Sequence, residues 1–259
     1  MIKRISLAAL LSVVVSVQAL AHDLWIHASD FKPTVNKLGA STVLYAGYGH
    51  LYPIDEAYKK ENTFTLYSPK NKEKVIKKEL LGYQILLKEK GNYIVSGETK
   101  PVIWTQFTNN KGEKVWHQKS KKDLKNVIGS KRMHKYAKGI ITAGDADDKN
   151  YAKVIGSTLE FVPLSNPNNI KEVGQEFNVK VLFKGEILTN TEVHGAYAGF
   201  SNKGDYKLLG KTNNEGVITI NIDHLGYWIL KVEHKEAALE EFKKDFDDEF
   251  YRATLTFQI

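Results

Sequence analysis

The chain has 259 residues, 42% of them apolar and 26% charged, with no cysteine and a formal net charge of +7. That composition belongs to a globular protein and excludes a disordered tail or a collagen-like fibre, while the length allows one large or two modest domains. Without thiols there can be no cysteine catalysis, zinc ribbon or iron–sulfur cluster, so any metal site must use nitrogen and oxygen ligands.

Lys3 and Arg4 precede the apolar run Ile5 to Val17, and Ala19-Leu20-Ala21 gives the small-x-small pattern of a signal-peptidase site. The run is shorter than the ~20 residues a helix needs to cross a bilayer. Residues 1–21 are therefore expected to be a cleaved signal peptide, and the mature chain, beginning at His22, to be periplasmic and without a dedicated membrane anchor. Losing Lys3 and Arg4 lowers the charge from +7 to +5. The lysines at 119, 121, 122 and 125 have no interleaved aromatic pattern, so a nucleic-acid partner is not expected.

Residues 22–162 read as an N-terminal β-rich metal-binding domain. Its expected strands run through Trp25-Ile26, Thr42 to Ala46, Thr63 to Tyr67, Ile85 to Leu87, Tyr93 to Ser96 and Ile103 to Phe107. The polar stretch after Lys119 predicts a short helix near Ser130 to Lys138. Pro163 to Asn169 reads as a linker. Residues 170–259 then read as a C-terminal immunoglobulin- or transthyretin-like β-sandwich, because Phe177, Val179, Val181 and Phe183, and again Ile218, Ile220 and Ile222, alternate with polar residues. Ala238, Phe242, Phe246 and Phe250 recur every four residues and predict one face of a short helix. Its acidic residues lack calcium-loop spacing and read as a solvated face. The fold class is thus all-β: two β-sandwich-like domains with short peripheral helices.

Cleavage before His22 would leave an α-amine beside an imidazole, and the two can chelate one metal ion. An α-amine, with a pKa of about 7.7–8.0, gives up its proton to a metal more readily than a lysine does. Partners must come from the other seven histidines. His27 lies five positions on, an odd separation that turns it to the opposite face of a strand. His50 follows a strand in the Gly- and Tyr-rich loop Gly47-Tyr48-Gly49-His50. His194 and His234 fall in the second sandwich and could reach a site at a domain interface. His224 reads as a turn residue, and His117 and His134 as solvated. Nitrogen ligands suit Ni(II), Co(II), Cu(II) and Zn(II) alike.

No nucleophile elbow, P-loop, dinucleotide fingerprint or His-Glu-x-x-His helix is present. Two other classes compete with a metal-binding protein that is not an enzyme. One is a copper monooxygenase with His22, a second histidine and an axial Tyr48 or Tyr52. The other is a carbohydrate-binding or adhesive sandwich, which would expose Trp25, Trp104 or Trp116 on a flat face.

The start His22-Asp23-Leu24-Trp25-Ile26, the loop Gly49-His50-x-x-Pro53, Lys135-Tyr136-Ala137-Lys138, the run from Leu159 to Pro167 and the ending Tyr251-Arg252-Ala253-Thr254-Leu255-Thr256-Phe257 together resemble a known family. It is the exported domain-of-unknown-function family that accompanies nickel and cobalt energy-coupling transporters as an extra periplasmic component. The resemblance implies a two-domain β protein that binds Ni(II) and delivers it to a membrane nickel/cobalt transporter complex. It carries the ligand role onto His22 and His50, and onto His234, which follows the Gly226-Tyr227-Trp228-Ile229 strand. It does not carry it onto His27.

Overall fold

The computed structural model describes residues 22–58, 62–70, 73–78 and 80–259; the signal segment expected at 1–21 lies outside the described residues. In the first half of the chain lie β1 (Asp23–Ala28), β2 (Ala40–Gly49), β3 (Glu56–Ala57), β4 (Asn62–Tyr67), β5 (Glu73–Lys78), β6 (Leu81–Leu87), β7 (Gly91–Glu98), β8 (Val102–Thr108), β9 (Lys114–His117) and β10 (Val127–Ala143). They are followed by β11 (Leu159–Pro163), β12 (Glu176–Phe183), β13 (Glu186–Ile187), β14 (Glu192–Tyr197), β15 (Lys207–Lys211), β16 (Val217–Asn221), β17 (Tyr227–Ala237) and β18 (Asp248–Gln258). The fold is all-β and sandwich-like. Among the described residues the helices are single 3-10 turns, at Lys121–Asp123, Asn150–Ala152, Pro167–Asn169 and Glu240–Phe242.

Three sheets form. In the first, β1 pairs with one side of β2, while β6 and β3 share the other. The second is ten-stranded, in the order β15-β14-β17-β18-β10-β7-β4-β5, with β8 and β9 added alongside β10. The third is β11-β12-β13 with β16 on β12. Alternation along the strands gives the large sheet two apolar faces. One packs Phe64, Val95, Ala137 and Ile141 against Leu24, Ile26 and Leu44 of the first sheet. The other packs Trp228, Leu230, Leu255 and Phe257 against Phe161, Phe177, Val179 and Val181 of the third. The strands on either side of residues 163–169 are thereby joined in one sheet, through a parallel ladder running from Lys131↔Asp248 to Gly139↔Thr256.

The structure corrects two expectations. Ser130 to Lys138, read as a helix, lies inside the seventeen-residue strand β10. The stretch is polar in sequence, yet Lys135 and Lys138 are buried, Lys135 bonded to residues on the first sheet's side and Lys138 to Glu160 of the third sheet. The helix expected through Ala238 to Phe250 is a 3-10 turn followed by β18. Its four-residue spacing instead places Phe242 and Phe246 together, ring centroids 5.9 Å apart, beneath the Arg132 guanidinium.

Candidate metal centre

β1 and β2 run antiparallel with Asp23 opposite Gly49 and Leu24 opposite Tyr48. One rung further the same register sets residue 22 opposite residue 50, and there the two imidazoles meet. Their ring centroids are 4.7 Å apart with planes at 83°, and the ring centroid of Tyr48 lies 5.1 Å from that of His22 with planes at 81°. The pairing follows from strand geometry, since directly opposed residues share a face. His27, at the odd spacing, turns the other way into a cage of Phe31, Tyr52 and Tyr227.

The loop that presents His50 is tightly held. The Asp55 carboxylate accepts from the amides of His50 at 2.7 Å and Leu51 at 3.0 Å. A β-carbon on Gly49 would sit 2.2 Å from that carboxylate, so only glycine admits the turn. Burial opposes ionisation of Asp55, but the two amides outweigh it and hold its carboxyl below the usual range. Trp25 donates from its indole nitrogen to the Pro53 carbonyl at 2.8 Å, pinning the far side of the loop.

His50 Nε2 is buried and has no hydrogen-bond partner among the described residues. Such an atom carries a desolvation cost that a ligand would remove. Burial first, then the neighbouring His50 and Lys135, lower the pKa of His22 and favour the neutral imidazole that metals bind. Lys135 donates to the His22 carbonyl at 2.6 Å and to the Tyr48 hydroxyl at 2.8 Å. Burial, helped by Arg252 and opposed by Asp23, pulls this ammonium down to about 7. Arg252 bonds the same His22 carbonyl at 3.2 Å and the Asp23 carboxylate at 2.9 Å. Burial pushes the Tyr48 phenol up to about 12.

The expected ligands are thus divided: His22 and His50 come together, and His234 does not join them. His234 lies opposite Tyr251 on β17 and β18, with its ring 4.2 Å from Phe183. It therefore faces the third sheet, on the side away from Glu233 and Arg252. Elsewhere His194 shares a shallow pocket with Glu192, Lys211 and Glu233, His224 stacks on Tyr197 at 3.9 Å, and His134 bonds Glu249 at 2.7 Å. Trp25 is wholly buried, which removes it from any flat sugar-binding face. A cavity of about 620 Å³, lined by Thr65, Tyr67, Ser96, His134 and Tyr136, opens on the large sheet's other face and does not include the His22–His50 pair.

No group of three or more histidine, aspartate or glutamate side chains among the described residues could hold a metal ion. Two imidazoles and an unspent buried nitrogen are what the side chains provide, so a three-nitrogen set needs the backbone nitrogen of residue 22. Sequence reasoning found the two histidines but not Lys135, Arg252 and Asp55 as the groups that hold them, because a buried charge has no periodic signature.

A family model described as "Domain of unknown function (DUF4198)" matches residues 19–236. Among curated proteins, none matches. Of solved structures, a two-domain fibronectin type-III segment from chicken tenascin is 10% identical, the alignment covering 90% of this chain and 97% of that one with a TM-score of 0.25. The fibronectin(III)-like modules of CbhA from Clostridium thermocellum are 8% identical, with 90% and 93% coverage and a TM-score of 0.22.

Proposed function

Since the chain belongs to the DUF4198 family, whose description assigns no activity, we propose from its own residues that it is a transition-metal-binding protein with His22 and His50 as ligands. The third ligand is the α-amine that removal of residues 1–21 would expose at His22. The observation that carries this reading is the meeting of the two imidazoles at 4.7 Å, with the Nε2 atom of His50 buried and unbonded. The donor set is all nitrogen and borderline in softness, which suits Ni(II), with Co(II), Cu(II) and Zn(II) as competitors. The resemblance of the sequence to exported companions of nickel and cobalt transporters supports the physiological role: a periplasmic accessory protein that hands Ni(II) to a membrane uptake complex. A chelate with few ligands at the edge of a sheet suits rapid release to an acceptor.

Protein exported with its native leader, weighed by mass spectrometry with and without Ni(II), reports the true N-terminus and the metal stoichiometry together. In calorimetry, His22→Ala, His50→Ala and a glycine inserted before His22 should each weaken Ni(II) binding by about tenfold or more. Unchanged affinity in all three removes the proposal. The Tyr48 ring beside His22 favours a second reading, a histidine-brace copper monooxygenase. Substrate oxidation by the Cu(II)-loaded protein with a reductant would favour it over the carrier.

A further inference from the structure

We infer that Lys135 and Arg252 are positioning residues that hold His22 in its metal-binding arrangement by gripping the carbonyl edge of β1. The inference rests on the metal-binding reading above and adds to it the device that keeps the first ligand in place.

Among the described residues β1 is an edge strand of its sheet, paired with β2 alone. The carbonyls of residues 22, 24 and 26 point away from β2, a row of acceptors that an edge leaves open. Here the row is closed by side chains of the large sheet. Thr254 donates its hydroxyl to the Leu24 carbonyl at 2.6 Å, and Thr256 donates to the Ile26 carbonyl. At the next rung the chain has no threonine: Arg252 and its cross-strand neighbour Lys135 together take the His22 carbonyl. Residues 22, 24 and 26 are thus matched in step by 252, 254 and 256.

Two neutral hydroxyls suffice for the inner rungs, so the change to a pair of cations at the outermost one calls for a reason. Both cations are withdrawn from water, with Lys135 5% and Arg252 8% exposed, and burying charge is unfavourable unless each is well paired. Arg252 answers to Asp23 and Glu233, and Lys231 approaches Asp23 at 3.6 Å. The reason lies in what processing does to residue 22. Once residues 1–21 are removed, His22 has no chain on its amino side, and a terminal residue frays unless it is tied down. Its carbonyl is then the one backbone group by which the fold can hold it. A chelate through the amine and the ring needs both to stay on the face where His50 waits, and two strong donors on the carbonyl fix that orientation while leaving the amine and the imidazole unobstructed. Lys135 serves a second purpose: its bond to the Tyr48 hydroxyl seats the ring that flanks His22.

The test uses the mature protein beginning at His22, with Cu(II) as a spectroscopic probe and Ni(II) for affinity. Lys135→Met and Arg252→Lys should each weaken Ni(II) binding by about tenfold and alter the Cu(II) electron paramagnetic resonance spectrum, showing a changed nitrogen set. Thr254→Val removes the neighbouring rung and should lower the melting temperature with affinity and spectrum unchanged. If Lys135→Met does not fold, Arg252→Lys, which keeps the charge beside Asp23, decides the matter. The inference is overturned if the cation variants bind and give spectra like the wild type, or if Thr254→Val changes them equally. Loss of binding in His22→Ala with none in the cation variants overturns the positioning role alone. Unchanged binding in His22→Ala overturns the metal reading beneath it.

Discussion

Gly204, in the loop between β14 and β15, stands so close behind His50 that a β-carbon at 204 would lie 2.6 Å from the β-carbon of His50 and 2.9 Å from its carbonyl oxygen. Residues from the second half of the chain thus buttress the loop that presents the second imidazole. Gly204 also has a φ of +80°, a backbone region costly for other residues. Gly204→Ala is expected to lower stability by about 1–2 kcal/mol and to weaken Ni(II) binding by displacing His50. Calorimetry beside a urea titration checks both; full affinity in the variant would show that the loop does not need this support.

His27 supplies a pH signature. It is 7% exposed, and burial pulls its imidazole down to about 4. The native state therefore refuses a proton that the unfolded chain accepts below the ordinary value of 6.5. Stability is complete above that value, falls as the pH drops toward 4 and then levels off, with a loss of about 2 kcal/mol by pH 5. Carboxylates such as Asp55 and Glu249, whose pKa values are lowered, lose their contribution at more acid pH, while His22 and His234, also lowered by burial, add to the decline between 6.5 and 5. The share of His27 is therefore the difference between the wild type and a variant without it. Denaturant unfolding across that window should show the decline in the wild type and a flatter curve in His27→Phe.

Lys138 and Glu160 form an ion pair, 3% and 2% exposed. Lys138 also donates to the Phe161 carbonyl at 2.8 Å, and Glu160 accepts from the amides of Ile155 and Gly156 at 2.8 and 3.0 Å. Lys138→Met leaves a buried carboxylate without its cation and should cost about 3–5 kcal/mol. Adding Glu160→Gln should recover part of the loss, and a double-mutant cycle in urea measures how much.

His234→Ala separates the two sides of the large sheet. Its ring packs on Phe183, so the variant is expected to lose about 1 kcal/mol of stability while Ni(II) affinity stays within about twofold of the wild type. A loss of affinity like that of His22→Ala would place His234 in the site after all.

Strands whose two faces differ in polarity were legible. Phe177, Val179, Val181 and Phe183 alternate, and β12 spans them. The parity that separates His22 from His27 was legible too, because a strand turns successive side chains to opposite faces. β10 was not. Its polar stretch reads as a short helix, yet Arg132, Lys135 and Lys138 each have a partner distant in sequence: Glu249, the His22 carbonyl and Glu160. Sequence pattern reports whether a position is apolar and is silent on whether a charge has found a counter-charge. For the same reason His50 could be singled out by its glycine-rich loop, while the groups that fix it and His22 in place could not.

The ladder that joins β10 to β18 also governs how the molecule can assemble. β1 emerges early from the ribosome and β18 late, yet Leu24 and Thr254 are hydrogen-bonded across 230 positions of sequence. Until the last strand slides in between β17 and β10, the leading edge lacks its cover and the middle sheet stays split. The core between the first sheet and β4, β7 and β10 is drawn from residues 24 to 143, whereas the ladder that covers the carbonyl edge of β1 closes only when the final strand is complete. Such distant pairing predicts slow, cooperative folding, with clipping of the final dozen residues enough to undo the front end.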